Sequence, residues 1–184
     1  MSIVDISGLS VKIGHKTLLR DISVHAEAGQ VTGLIGPNGA GKSTLLAAMC
    51  GDLEAATGSI SLAGVDPAQA SPKELALIRA VMLQDVSVSF EFLVRDVVAM
   101  GRRPWAKQVE PHVDEQVIDA ALAATDTVHL AGRDIATLSG GERARVALAR
   151  VLAQQTPIVF LDEPTAALDI SHQEQVLALV QNLA

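Results

Sequence analysis

The nine residues Gly36-Pro37-Asn38-Gly39-Ala40-Gly41-Lys42-Ser43-Thr44 constrain this chain more than any other stretch. They satisfy G-x-x-x-x-G-K-[ST], a pattern with physical content only between a strand and a helix. Val31-Thr32-Gly33-Leu34-Ile35 before them is a short apolar run suited to a strand buried on both faces. Leu45 to Cys50 after them reads as helix, and Gly51 is placed to end it. Glycines let main-chain N–H groups approach an anion closely because no Cβ intervenes. The helix that follows aims its positive end at the same point. Lys42 can reach β- and γ-phosphates, and the Ser43 hydroxyl can ligate Mg²⁺. From average residue usage, a chance match in a chain of this length is about half a percent, so the stretch is read as a nucleotide-phosphate site.

Upstream of the loop, two strands are expected. Leu9, Val11 and Ile13 alternate with Ser10 and Lys12, and Ile22, Val24 and Ala26 alternate with Ser23 and His25. His25 is expected to be solvated. Downstream, Gly58 to Gly64 encloses another short strand. Ser71-Pro72-Lys73-Glu74 offers an N-cap, a proline at the first helical position and an acidic first turn, predicting a helix to about Arg79. Ala80 to Leu83 is a further buried strand, ending on Gln84.

From about residue 85 to 138 the chain changes character, and it is read as a helical insertion. Arg95 to Met100 is helical in spacing, Gly101 to Pro111 is a loop carrying Arg102, Arg103 and Trp105, and Pro111 to about Ala124 is a second helix. Its apolar face would be Val113, Val117, Ala121 and Leu122. Phe90, Phe92 and Leu93 are either core of this insertion or an exposed docking patch.

Leu138-Ser139-Gly140-Gly141-Glu142 opens a helix expected over Arg143 to Gln154, and its start is a second anion-binding terminus. Ile158 to Leu161 is a buried strand ending on Asp162-Glu163, where one carboxylate can hold Mg²⁺ and its neighbour can deprotonate a water. Ser171-His172-Gln173-Glu174 has the capping-box pattern for a last helix from Gln173 to about Leu183, leaving His172 structural or solvent-facing. Taken alone, Gln84, the serine-glycine-glycine string and the acid pair each have a plainer reading, as loop residues or solvated acids.

Composition excludes several classes. At 184 residues, 49% hydrophobic and 19% charged, the chain suits one folded domain with an inserted subdomain. A net charge of −7 argues against nonspecific nucleic-acid binding. A lone cysteine, Cys50, rules out an internal disulfide and fits an intracellular compartment. No apolar run is long enough to cross a bilayer and the N-terminus lacks a secretory pattern, so a membrane role would be peripheral.

Taken in order, GPNGAGKST, Gln84, LSGGE, IVFLDEP and Ala167-Leu168-Asp169 resemble the ATP-binding subunits of ABC transporters over essentially the whole chain. Phe90 to Arg102 and Leu168 to Gln173 are similar to the iron-chelate and haem importer branch, and Leu9 to Gly14 tilts the resemblance toward haem import. The resemblance implies an α/β fold of the P-loop NTPase, ABC type: a mostly parallel core sheet, an N-terminal antiparallel β part and a helical subdomain at about 85–155. The chain, 1–184, would be a single ATP-binding domain. It implies ATP and Mg²⁺ as ligands and a homodimer in which each ATP lies on one phosphate loop, under the other copy's Ser139, Gly140 and Gly141. Lys42 would act on the phosphates, Ser43, Gln84 and Asp162 on the metal, Gln84 also on the attacking water, Glu163 as general base and Asp169 at the dimer contact. A membrane permease would dock near 85–102, with a substrate-binding protein acting indirectly, at the cytoplasmic face of the cell membrane and without nucleic acid.

Two departures from the family pattern matter. Where members usually stack a ring on adenine, this chain has Ile13-Gly14, so adenine would pack on Ile13 with weaker base discrimination. The family's switch histidine lies one helix and one strand beyond Asp162-Glu163, and His172 comes too early to serve. The chain is therefore expected to be C-terminally truncated, binding nucleotide but hydrolysing it poorly. A soluble ABC ATPase outside transport, or a nucleotide-binding fragment with little hydrolysis, are the alternatives.

Overall fold

A computed structural model describes residues 2–83, 91–164 and 170–183. The chain forms two compact units, 1–78 with 183–184, and 79–182.

The first unit is built on β1 (Ser2–Ile13) and β2 (Lys16–Glu27), followed by helix α1 (Lys42–Met49), strand β3 (Thr57–Leu62) and helix α2 (Pro72–Ile78). The three strands form an antiparallel sheet in the order β2-β1-β3. The expected alternation is present, but with a change of phase. Val4 and Ile6 are buried, and so are Leu9 and Val11, which fall on the opposite parity. Between them β1 gains one residue on its partner, since Ile6 faces Val24 and Leu9 faces Ile22. Gly8, with φ of 59°, takes up this bulge, and its N–H donates to the Ser23 hydroxyl at 3.0 Å. One inserted residue keeps the apolar side chains of both halves on the core face.

Helix α1 ends as anticipated. Gly51 is left-handed, Asp52 N–H donates to the Ala47 carbonyl and Gly51 N–H to that of Ala48, the paired bonds of a Schellman stop. At α2, Glu74 accepts from both the N–H and the hydroxyl of Ser71, so the predicted cap forms.

Residues 31–35 do not form the expected buried strand. They belong to no ladder, and Ile35 is 95% exposed, Val31 55% and Leu34 48%. The apolar composition was read correctly, but a strand also needs neighbours to take its N–H and C=O groups. Among the described residues no strand runs beside this one.

The second unit contains strand β4 (Arg79–Met82), helices α3 (Val94–Ala99), α4 (Pro111–Ala124) and α5 (Gly140–Ala153), strand β5 (Ile158–Leu161) and helix α6 (Ile170–Leu183). β4 and β5 pair in parallel, Arg79 opposite Ile158 and Met82 opposite Leu161. β5 is less buried than expected. Ile158 is 5% exposed but Val159 is 40%, because β4 is its only partner among the described residues.

Helix α5 has two buried sides. Val146, Ala149 and Ala153 join α3 and α4 in a core with Val94, Val98, Ile118 and Leu122. Ala147, Leu148 and Val151 pack instead with Ala80, Met82 and Val176. α4 starts and ends where its proline and apolar spacing place it.

Three readings change here. Gly101 to Trp105, expected as loop, lies in a 3₁₀ segment, Met100–Trp105, in which Arg102 is buried at 5% exposure. α5 begins at Gly140, three residues earlier than predicted. Ser171 lies inside α6 and is not its N-cap, because the helix is already formed at Ile170. Phe92 and Leu93 are 36% and 47% exposed, which is patch-like; Phe90 lies outside the described residues.

Candidate functional site

The phosphate loop lies in the first unit. Gly39 and Gly41 hold φ of 80° and 96°, the left-handed region that turns successive N–H groups to one side. At Gly41 a Cβ would lie 2.6 Å from Leu19 Cδ2, so β2 closes over the backbone there and leaves no room for a side chain. Gly41 is the N-cap of α1, makes no side-chain cap bond, and no acidic residue occupies the first turn. Leu45 N–H donates to the Gly41 carbonyl at 2.8 Å and begins the intrahelical ladder. The N–H groups of Lys42, Ser43 and Thr44 precede that ladder and are the helix's open donors.

The Lys42 ammonium curls back over the loop, donating to the Gly36 carbonyl at 2.8 Å and the Pro37 carbonyl at 3.1 Å. A cation held above open amide donors is a cradle for a polyanion, and phosphate oxygens can replace those two carbonyls as its acceptors. Pro37, Asn38, Gly39, Ala40 and Ser43 are exposed, whereas Gly36, Gly41, Lys42 and Thr44 are half-buried. Ile13 ends β1 with 56% of its surface exposed, an open apolar side chain before the Gly14 turn.

The other candidate groups belong to the second unit. Ser139 caps α5 reciprocally with Glu142: Glu142 N–H donates to the serine oxygen at 3.3 Å, and the carboxylate accepts from Ser139 N–H at 2.7 Å and from its hydroxyl at 2.8 Å. The backbone N–H of Ser139, then its hydroxyl, hold the Glu142 carboxyl below its ordinary range, with Arg133 and Arg145 adding charge of the favourable sign. The serine's bonding capacity is therefore already engaged by the helix's own acid. Glu142 is a functional group the motif reading lacks, although Ser139-x-x-Glu142 is the same capping-box pattern as Ser171-x-x-Glu174. Arg145, one turn on, is 9% exposed, and its Nε has no hydrogen-bond partner among the described residues.

Asp162 N–H donates to the Met82 carbonyl at 2.9 Å, extending the β4–β5 ladder and leaving the carboxylate half-buried at the strand's end. Glu163 follows with φ of 48°, left-handed for a residue that bears a Cβ. Such a conformation costs about 1–3 kcal/mol and clusters where a side chain must be aimed. Gln84 and Asp169 lie outside the described residues. Thus Ile13 and residues 36–44 share the first unit, and Ser139 to Gly141, Asp162 and Glu163 share the second.

Among the described residues no group of three or more His, Cys, Asp or Glu is placed to hold a metal. Ser43 in the first unit and Asp162 in the second each carry an oxygen of the hard type that Mg²⁺ accepts. No helix of the described residues is long and apolar enough to cross a membrane.

The family model described as ABC transporter matches residues 19–166. The Hemin import ATP-binding protein HmuV of Streptomyces coelicolor is 51% identical over 177 residues, covering 96% of this chain and 63% of that protein. The Cobalamin import ATP-binding protein BtuD of Halobacterium salinarum is 45% identical over 181 residues, covering 98% of this chain and 46% of that protein. Among solved structures, cbiO1 from Clostridium perfringens, part of the ABC transporter complex cbiONQ, superimposes with a TM-score of 0.85 at 29% identity, over 99% of this chain and 73% of that one. The chain spans 63%, 59% and 62% of the length of the haemin-import relatives of Streptomyces coelicolor, Nocardia farcinica and Thermobifida fusca, less than two thirds of each. Since the matched stretch takes in the phosphate loop, the capped start of α5 and the carboxylate pair alike, the chain belongs to the ABC transporter family.

Proposed function

We propose that this chain is the nucleotide-binding part of an ATPase that powers a membrane importer, with haem or an iron chelate as cargo. The observation that carries it is the phosphate cradle: left-handed Gly39 and Gly41, open amides at the start of α1 and the Lys42 ammonium, with no acid in the first turn to compete. The import assignment and the cargo rest on the names of the haemin-import relatives; the cobalamin-import relative at 45% identity makes a corrinoid the competing cargo.

In this reading 1–184 is one ATP-binding domain. Lys42 exchanges its loop carbonyls for β- and γ-phosphate oxygens. Ser43, Asp162 and Gln84 would hold Mg²⁺, which when bound would supply positive charge beside the phosphates. Glu163 takes the proton from the attacking water, and Gln84 orients that water. Adenine packs on Ile13, so discrimination between ATP and GTP is weak. Ser139, Gly140 and Gly141 of a second copy close over the γ-phosphate, with Asp169 at the contact. For that, the Ser139 hydroxyl must turn from Glu142 to the phosphate. The dimer sits peripherally at the cytoplasmic face of the membrane, a permease docks near 85–102 where Phe92 and Leu93 are exposed, and a substrate-binding protein acts through the permease.

Lys42→Ala removes a charge-assisted bond worth about 1.5–3 kcal/mol, so MgATP affinity measured by calorimetry should fall about tenfold to a hundredfold. Unchanged affinity would refute the phosphate site. In the full-length subunit, Glu163→Gln should accumulate an ATP-bound dimer on size exclusion, and a variant that stays monomeric with ATP would refute the shared site.

A further inference from the structure

We infer that Arg102 is a positioning residue: its buried guanidinium locks the C-terminal end of α5 to the segment beside the docking region, and so sets where Ser139-Gly140-Gly141 stand. The assignment rests on the transport reading above.

Arg102 donates from Nε to Asp114 Oδ1 at 2.7 Å, and from Nη1 to the Ala153 carbonyl at 2.8 Å and Gln155 Oε1 at 3.0 Å. Its guanidinium lies 5.4 Å from the centre of the Trp105 ring. Trp105 Nε1 donates to the Gln154 carbonyl at 2.7 Å, and Gln154 Nε2 donates to the Arg79 carbonyl at 2.9 Å. One side chain thereby joins α4, the 3₁₀ segment after α3, the Ala153 carbonyl of α5 and the Gln155 amide beyond it, while its ring neighbour extends the linkage to the start of β4. The backbone is equally close: a Cβ on Gly101 would fall 2.3 Å from the Arg150 carbonyl oxygen.

The chemistry suits orientation more than cohesion. A buried cation costs several kcal/mol in desolvation, and an apolar residue of similar volume often serves stability as well or better. A planar fork with fixed donor directions does what an apolar residue cannot, which is to hold three acceptors in one relative geometry. One of those partners, the Ala153 carbonyl, is at the C-terminus of α5, where carbonyls lack intrahelical donors and carry the negative end of the dipole. α5 is about 21 Å long at 1.5 Å per residue. Looseness of about 1 Å at its anchored end moves Ser139 by a similar amount, and a misplacement of that size far from the chemistry can cost about a hundredfold in rate. Exposed at 5%, Arg102 is too buried to be a docking contact itself.

The test uses the full-length subunit reconstituted with its permease in liposomes. Arg102→Met keeps the volume and removes the bonds. Its KM for ATP should stay within twofold while permease-stimulated kcat falls at least tenfold. Arg102→Lys should recover part of kcat. Where Arg102→Met does not fold, Trp105→Phe removes the Nε1 bond and shrinks the ring beside the guanidinium, and should lower kcat about threefold with KM unchanged. A folded variant with unchanged kcat, or a loss matched by the unfolded fraction in thermal melts, would overturn the assignment. Wild-type protein without permease-stimulated turnover would overturn the transport reading itself, and this assignment with it.

Discussion

Gly41→Ala tests the phosphate loop where its backbone is most constrained. At φ of 96° the residue is left-handed, a region that costs a side-chain-bearing residue about 1–2 kcal/mol. The new methyl would also lie 2.6 Å from Leu19 Cδ2, and Leu19 is itself 6% exposed with little room to retreat. Overpacking of this kind costs about 1–3 kcal/mol. Against these, alanine narrows the unfolded ensemble and returns about 0.4–1 kcal/mol. The net destabilisation should be about 2–4 kcal/mol in urea unfolding. Leu19→Ala alone removes buried methyls and should cost about 2–5 kcal/mol. Combined with it, Gly41→Ala has no methyl to strike and keeps only the backbone cost. The four proteins of the double-mutant cycle should therefore show a coupling of about 1–3 kcal/mol. Additivity within about 0.5 kcal/mol would refute the placement of Leu19 over the loop, and a negligible cost for Gly41→Ala would refute its left-handed backbone.

Three further outcomes follow from geometry already described. Ser139→Ala should destabilise the second unit by about 1 kcal/mol at neutral pH through loss of the N-cap. Because the cap holds the Glu142 carboxyl below its usual range, its stabilisation is present above the ordinary carboxylate pKa and disappears as pH falls through the lowered folded value. The stability gap between wild type and Glu142→Gln should accordingly close in acid, and a gap independent of pH would exclude the carboxylate as the capping group. Ile35→Ser, at a side chain 95% exposed, should change the stability of the 184-residue chain by less than about 0.5 kcal/mol; a loss of several kcal/mol in urea titrations would mean that residues 31–35 are buried.

Periodicity was enough wherever the partner is local. α4 is bounded by its own proline and apolar spacing, and the Ser71–Glu74 cap by four adjacent residues. The β1–β2 hairpin was legible too, but not the added residue at Gly8, because alternation read in short windows is blind to a phase change between them. Residues 31–35 show the limit of apolar content, which states what a segment can bury and is silent on whether neighbours exist. The N-cap expected at Ser71 forms, the capping box at Ser139 was not read, and the one expected at Ser171 fails because α6 already includes Ile170. Arg102 could not be foreseen. Between Gly101 and Pro104 it looks like a loop cation, and only the distant carbonyls of α5 make it a buried one. Of the candidate site, the helix after the phosphate loop was legible because its signals are contiguous, whereas the strand expected before the loop did not form, and nothing in the sequence pointed to the left-handed backbone of Glu163.

That α5 serves two cores has a consequence for how the second unit comes apart. A helix with one buried side can detach while the remainder stays folded, and its amides then exchange with solvent at a low opening free energy. α5 has no such escape, since freeing it strips Val146 and Ala149 from one apolar cluster and Leu148 and Val151 from the other. Its central amides should exchange only when the helical layer and the β4–β5 pair open together. The slowest-exchanging segment of 79–182 would then be the helix that presents Ser139, in a region where functional elements are usually the first to loosen.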